Sequence, residues 1–158
     1  MKFSIDKTTL LKNLQLISKA IPSRSTLPII SSALFTVKDS ILSLRATDLE
    51  ISINLNCKIE GGENGCVAIP LAKLLEITSA MPESNIDFSV SDIGKMNICC
   101  NAGRYTIMGQ SPEEFPSEQS IENSKTLQIS SSELKDIINN TSYAASRDDL
   151  KPVLQGVL

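Results

Sequence analysis

The chain has 158 residues, of which 41% are hydrophobic and 21% charged, the composition of an ordinary globular protein. No apolar run approaches the roughly 20 residues that a membrane-spanning helix needs, and the first residues lack the apolar stretch of a secretory signal. The chain contains no histidine, which excludes Ser-His and Cys-His catalysis and histidine-ligated zinc. We therefore expect a cytoplasmic protein that does not contact a membrane.

The four cysteines are too few and too scattered for a metal or redox motif. Cys57, Cys66, Cys99 and Cys100 form no C-x-x-C pair, which argues against a zinc ribbon and against a thioredoxin-like site. We expect reduced thiols in the core, with no metal and no cofactor.

The charge is unevenly distributed along the chain. The net charge is −3, but residues 1–30 hold five basic residues and one acid, which leaves −7 for the remainder. A basic surface on an acidic protein can hold an anionic polymer while the rest of the surface repels it. From the charge alone, a solvated helix face is the better explanation of the same residues.

The first half of the chain reads as a strand, a helix and three strands. Residues 2–5 have strand character, and Asp6 is placed to cap a helix whose apolar stripe is Leu10, Leu14 and Ile17. Lys12 and Lys19 lie on the opposite, polar face of that helix. Three strands are expected at residues 33–37, 41–46 and 49–59.

The same order begins again after the glycine-rich residues 61–65. A strand at 66–69 leads through Pro70 into a helix with the apolar stripe Leu71, Leu74, Thr78 and Met81. Three further strands are expected at 85–90, 95–100 and 104–108. Because the turns between successive strands are short, the sheets should be antiparallel. The polar face of the second helix holds mostly small residues, which would let another molecule pass closely: Ala72, Glu76, Ser79 and Ala80.

A second repeat is visible as identical amino acids at an offset of 124 residues. The identical pairs are Ile5/Ile129, Leu10/Leu134, Ser18/Ser142, Ala20/Ala144, Pro28/Pro152 and Leu34/Leu158. Ser130 and Glu133 form a capping box before the repeated helix. We expect a strand, a helix from about Ser131 to Tyr143, and a second strand ending at Leu158, after a linker at 111–125. A strand–helix–strand unit cannot bury its apolar face, so we expect this segment to be poorly ordered or held by a neighbouring chain. We also expect the chain to be a piece of a longer tandem-domain protein.

Several motifs resemble the bacterial sliding clamps, the beta subunits of DNA polymerase III, in order and spacing. They are Met1-Lys2-Phe3, Leu27-Pro28-Ile29, Ala46-Thr47-Asp48-Leu49-Glu50, Phe115-Pro116, Tyr143-Ala144 and Pro152-Val153-Leu154-Gln155-Gly156. The resemblance implies an α+β DNA-clamp fold in which antiparallel sheets form the outside of a ring and helices line its hole. Residues 1–120 would be the first clamp domain and 121–158 the linker and opening of the second, with the third domain absent.

The resemblance also implies function and partners. A homodimeric ring around duplex DNA would hold the replicative polymerase without reading sequence, and a clamp loader would open it. Arg24 and Arg147 match family positions near DNA, beside Lys12 and Lys19, whereas Asp148 and Ala72 depart from the family pattern. The subunit interface would involve Lys73, Ile77, Tyr105 and Ile107, although Tyr105 and Ile107 suit a core equally well. Lys151, Pro152 and Leu154 would form the edge of the partner-binding pocket.

Two other functions remain open on the sequence. One is a protein-interaction module that does not bind DNA. The other is a small acid–base enzyme that uses Asp48 and Glu50, but on a strand these side chains would share one solvent-facing side, and Asp48 is better suited to stabilising a turn. The processivity role itself needs no catalytic residue.

Overall fold

The computed structural model describes residues 1–22, 27–117, 125–148 and 150–157. The chain divides into two compact units, Met1–Glu118 and Gln119–Leu158. No helix in the described ranges is both long enough and apolar enough to cross a membrane.

The described residues of the first unit contain nine strands and two α-helices. They are β1 (Lys2–Asp6), α1 (Lys7–Ile17), β2 (Ser32–Lys38), β3 (Ile41–Thr47), β4 (Ser52–Lys58), β5 (Glu60–Glu63), β6 (Gly65–Pro70), α2 (Leu71–Ala80), β7 (Asn85–Val90), β8 (Lys95–Cys100) and β9 (Gly103–Met108). The strands form a five-stranded sheet in the order β5-β1-β7-β8-β9 and a four-stranded sheet in the order β4-β3-β2-β6. Every pairing is antiparallel, as predicted.

The two halves exchange their first strands. β1 leaves the half that contains β2–β4 and pairs with β7, in the register Phe3 opposite Phe88. β6 correspondingly leaves the half that contains β7–β9 and pairs with β2, in the register Phe35 opposite Val67. The strand–helix–three-strand repeat predicted from element order is therefore confirmed, and each half completes the sheet of the other.

The helices form one layer over the core. α1 buries Leu10, Leu14 and Ile17, and α2 buries a matching stripe in the same cluster. Phe3 and Phe88 join that cluster from the five-stranded sheet, with ring centroids 4.7 Å apart. Because the helices contact each other and share one core, their polar faces point away from both sheets. This agrees with the predicted stripes, including Thr78 on α2 and Met81 directly after its end, both of which are buried.

The segment that follows β9 connects the two sheets. Gln110 forms a bridge with Ala68 of β6, and its side-chain oxygen accepts a hydrogen bond of 2.9 Å from Ser32 Oγ. Phe115 is buried in a second, smaller cluster, and Arg45 lies 5.7 Å from its ring centroid. The predicted linker at 111–125 is therefore wrong at its start, since residues as far as Phe115 pack on the first unit.

Three predictions for the first unit need correction. β4 begins at Ser52 rather than at residue 49, because the preceding residues form a tight turn. β5 was missed, because Gly61 and Gly62 favour an interruption of regular secondary structure. This segment nevertheless pairs with β1 through an irregular register. The cysteines are free, but only Cys57 and Cys100 pack against the core, both partly buried, and Cys66 is exposed.

The second unit repeats the helix of the first at the predicted offset of 124 residues. α3 spans Ser131–Thr141 and continues as a 3₁₀ turn at Ser142–Ala144, as α1 continues at Ser18–Ala20. Ser130 Oγ accepts a hydrogen bond of 3.2 Å from the Glu133 N–H, which confirms the predicted cap.

The strands predicted around α3 are absent from the described residues of the second unit. β1 is a strand because β5 and β7 pair with it, and the described part of the second unit offers no such partner strand. The apolar stripe of α3 is consequently uncovered, with Leu134 44% and Ile138 50% exposed, whereas Leu10 and Leu14 are fully buried. Leu158, the predicted end of the second strand, lies outside the described residues.

The core contains one hydroxyl group that makes no hydrogen bond. Thr78 is 1% exposed and its Oγ1 has no partner. We expect Thr78→Val to raise the free energy of unfolding by about 1 kcal/mol, because the desolvation cost of the unpaired hydroxyl disappears. Urea denaturation with an unchanged m-value measures this gain.

Thr47→Val is the matched control. Thr47 is also buried, at 2% exposure, but its Oγ1 donates to the Ile51 carbonyl and accepts from the Leu49 N–H. This substitution should lower stability. A loss of stability in Thr78→Val as well would contradict the assignment of an unpaired hydroxyl.

Candidate nucleic-acid and subunit interfaces

The polar face of α1 carries two cations that are free of ion pairs among the described residues. Lys12, Gln15 and Lys19 are exposed on this face, and neither lysine belongs to a salt bridge of the described residues. Lys7, by contrast, is bound to Glu83 at 2.9 Å, so its charge is neutralised locally. The face therefore presents positive charge only at Lys12 and Lys19, about 10 Å apart along the axis.

The N-terminus of α1 is held by carboxylates. Asp6 Oδ1 accepts a hydrogen bond of 2.9 Å from the Thr9 N–H, and hydrogen bonds from the side chain and backbone of Thr9 lower the pKa of Asp6. Glu83 accepts from Thr8 Oγ1 at 2.6 Å and from Lys7 Nζ, contacts that lower the pKa of Glu83 in that order. These contacts fix the helix and orient its polar face.

The exposed face of α2 differs from that of α1. Ala72, Lys73, Glu76, Ser79 and Ala80 are exposed on it. Ser79 Oγ donates its proton to the Leu75 carbonyl at 2.7 Å, so that proton is not available to a ligand.

The basic loop residues predicted to approach DNA lie apart from these helices in the sequence. Arg24 lies outside the described residues. Arg147 is exposed in the second unit, in a loop that the Ser146 N–H closes onto the Leu154 carbonyl at 2.8 Å. Asp148 Oδ1 accepts from the Leu150 N–H at 3.0 Å and thereby shapes this loop. This turn-forming contact gives the departure from the family pattern at Asp148 a structural role.

The turn between β3 and β4 explains the predicted acidic pair. Asp48 Oδ1 accepts hydrogen bonds from the N–H groups of Ile51, at 2.6 Å, and Glu50, at 3.0 Å, and the bond from Ile51 is the main cause of a lowered pKa for Asp48. Leu49 adopts a φ of +82°, a strained conformation for a bulky residue, and the Asp48 contacts help to hold it. Asp48 is a turn residue, as one of the two sequence interpretations proposed.

β9 is one of the two edge strands of the five-stranded sheet, the other being β5. Ile107, one of the proposed interface residues, is 5% exposed and belongs to the core, so it offers no surface. Tyr105 lies opposite Ile98 at this edge and is 37% exposed. Met108, which the sequence analysis missed, is 57% exposed at the end of the same strand. Its position on an edge strand, rather than its residue type, identifies it.

The remaining predicted positions are spread over α2 and the second unit. Lys73 is exposed on α2, whereas Ile77 is half-buried against the core. Lys151, Pro152 and Leu154 are exposed around a 3₁₀ turn at Pro152–Leu154. In the described parts of the chain, no cluster of three or more cysteine or acidic side chains is arranged to hold a metal ion.

Comparison with known proteins assigns the fold. The family described as "DNA polymerase III beta subunit, N-terminal domain" matches residues 1–119. The chain belongs to this family. A relative named "Beta sliding clamp" from Pseudomonas putida KT2440 is 32% identical over 160 residues, and the match covers all of this chain and 43% of that protein. The chain thus spans less than half the length of this relative.

Solved structures of the family superpose closely. The DNA polymerase III subunit beta from Pseudomonas aeruginosa matches 99% of this chain and 43% of its own, with a TM-score of 0.92 and 31% identity. The beta chain from Streptococcus pneumoniae TIGR4 matches 96% of this chain and 42% of its own, with a TM-score of 0.90 and 25% identity. The α+β clamp fold is therefore established for this chain.

Because Asp6 caps α1, we expect the free energy of unfolding to depend on pH in the acid range. Because hydrogen bonds lower the pKa of Asp6 below its ordinary 3.8, its stabilising effect is complete above that pH. The effect is lost as the pH falls through the lower pKa of the folded state. Asp6→Asn keeps a capping side chain but removes this titration, so its stability should fall less steeply in acid than that of the unaltered chain.

Urea denaturation at a series of pH values from about 5 to about 2 measures the two slopes, since most native carboxylates titrate there. Asp92→Asn, in an exposed turn, is the control and should follow the unaltered chain. Equal slopes for Asp6→Asn and the unaltered chain would contradict the role of the cap.

Proposed function

We propose that this chain is the first domain and the opening of the second domain of a DNA sliding clamp. Residues 1–120 form the first domain, and residues 121–158 form the linker and the beginning of the second. Two features support this assignment: membership of the beta-subunit family, and a helix repeated at an offset of 124 residues. A clamp of this kind encircles duplex DNA and confers processivity on the replicative polymerase.

The helix layer is the observation that carries the proposal. Lys12 and Lys19 stand on the layer that faces away from the sheets, on a chain whose net charge is −3. A few lysines contact phosphates without reading bases, so the contact is sequence-independent and weak enough to permit sliding. Arg24 and Arg147 add phosphate contacts at the loops.

The role is non-catalytic, since a ring tethers the polymerase by topology and changes no covalent bond. Its partners are duplex DNA, the replicative polymerase and the clamp loader, and it acts in the cytoplasm. Lys151, Pro152 and Leu154 contribute only the edge of a pocket for partner peptides, because that pocket lies between the second and third domains.

The ring closes at β9, an edge strand of the five-stranded sheet. Its side away from β8 is unpaired in the sheet, and Tyr105 exposes apolar surface there, whereas Met108 lies on the other face of the strand together with Thr106. Lys73 and Ile77 of α2 complete the proposed subunit surface. Ile107, which is 5% exposed, supports this surface from the core.

Topological retention tests the function. In a chain of the relatives' full length that begins with these 158 residues, a clamp loaded onto nicked circular DNA should stay bound in gel filtration. Cutting the circle should release it, because a ring slides off free ends. A protein-interaction module would not be retained on either DNA, and a protein that binds by contact alone would be retained equally on both.

The edge strand gives a second test in the same full-length chain. Tyr105→Ala should raise the dissociation constant of the dimer about tenfold, as removal of a partly buried aromatic anchor does at interfaces. Sedimentation velocity measures the dimer fraction. Thr106→Ala is the matched control, since its side chain points to the opposite side of the same strand and bonds Asn97. A dimer unaffected by Tyr105→Ala would refute the proposed edge.

A further inference from the structure

The two repeated helices share a fold but not a charge pattern. α1 and α3 have the same length, an N-terminal cap at the same relative position and the same 3₁₀ continuation. At the offset of 124 residues, however, Lys12 corresponds to Asp136 and Lys19 to Tyr143. The lysines of α1 are therefore not required by the fold of the repeat, and their presence needs another explanation.

Within the first unit, the neighbouring helix has no net charge on its exposed face. Lys73 and Glu76 are three residues apart on α2 and both exposed, so the charge of one offsets that of the other. The side chains of the flanking Ala72 and Ala80 have no polar atoms, and the hydroxyl proton of Ser79 is already donated to the Leu75 carbonyl. Nothing on this face other than Lys73 can donate to a phosphate, and Glu76 repels one.

We infer that, of the two helices of the first unit, only α1 with its 3₁₀ continuation contacts DNA phosphates. The exposed face of α2 has no net charge, and the carboxylate of Glu76 repels the phosphates of the duplex. This inference rests on the proposed clamp function and names the part of the helix layer that performs it. Lys73 is consequently free to serve the subunit surface rather than the DNA.

The division has a physical advantage for a sliding protein. Each lysine that binds a phosphate displaces a condensed counterion and strengthens the salt-dependent attachment. Confining the cations to one helix limits the number of simultaneous contacts, and a carboxylate on the other helix adds repulsion at short range. The duplex is then attracted to the helix layer, but within that layer only the two lysines of α1 and its continuation bind its phosphates.

The 158-residue chain itself provides the test. Binding to a duplex of about 20 base pairs is measured at several salt concentrations between roughly 10 and 100 mM, where weak phosphate contacts are strongest. The variants are Lys12→Gln with Lys19→Gln, Lys73→Gln, and Glu76→Gln. The matched control is Lys38→Gln with Lys58→Gln, which removes two exposed charges from strands β2 and β4, on the opposite side of the molecule from the helix layer.

The double substitution on α1 should weaken binding about tenfold and reduce the salt slope by about 1.8, the value for two lost phosphate contacts. Lys73→Gln should leave the slope unchanged, and Glu76→Gln should strengthen binding. An equal loss in Lys73→Gln, an unchanged affinity in Glu76→Gln, or an equal loss in the Lys38/Lys58 control would overturn the inference. In those cases the unaltered chain still binds DNA and the proposed function stands. An unaltered chain that does not bind the duplex at any of these salt concentrations overturns the inference, whereas the proposed function is decided separately by the retention of the full-length chain on circular DNA.

Discussion

The exchange of first strands is the constraint on which the first unit depends. β1 and β6 each leave their own half to complete the sheet of the other, so neither half has a finished sheet alone. The core that α1 and α2 cover is consequently shared between the halves, and the two helices must lie side by side in one layer. The polar faces that we propose for DNA contact face away from the sheets because this exchange leaves them no other orientation.

The second unit shows what the helix does when that exchange is missing. α3 forms with its cap and its 3₁₀ continuation, because those features depend on local hydrogen bonds. The described residues directly before it, 125–130, form no strand, since a strand depends on a partner strand. Helix formation in this repeat is thus local, whereas sheet formation and burial of the apolar stripe depend on distant parts of a chain.

The same distinction separates what could be predicted from what could not. The stripes of both helices, the caps at Asp6 and Ser130 and the antiparallel pairing follow from periodicity and short turns. β5 could not be predicted, because its glycines give no strand signal and only the adjacent edge of β1 makes it a strand. At the candidate site, the lysines of α1 were evident from the sequence, but the exposure of Met108 and the burial of Ile107 depend on which strand lies at the sheet edge.

The strand exchange also determines the order in which the molecule is made and folded. Ser4 and Asp87, which hydrogen-bond across β1 and β7, are 83 positions apart. At roughly 5–20 residues per second of synthesis, β1 waits several seconds for β7, while β2, β3 and β4 can already pair with one another. During that interval Phe3 and Ile5 belong to an incompletely paired apolar strand that can pair with another nascent chain. β1 is therefore made well before the strand that completes its pairing.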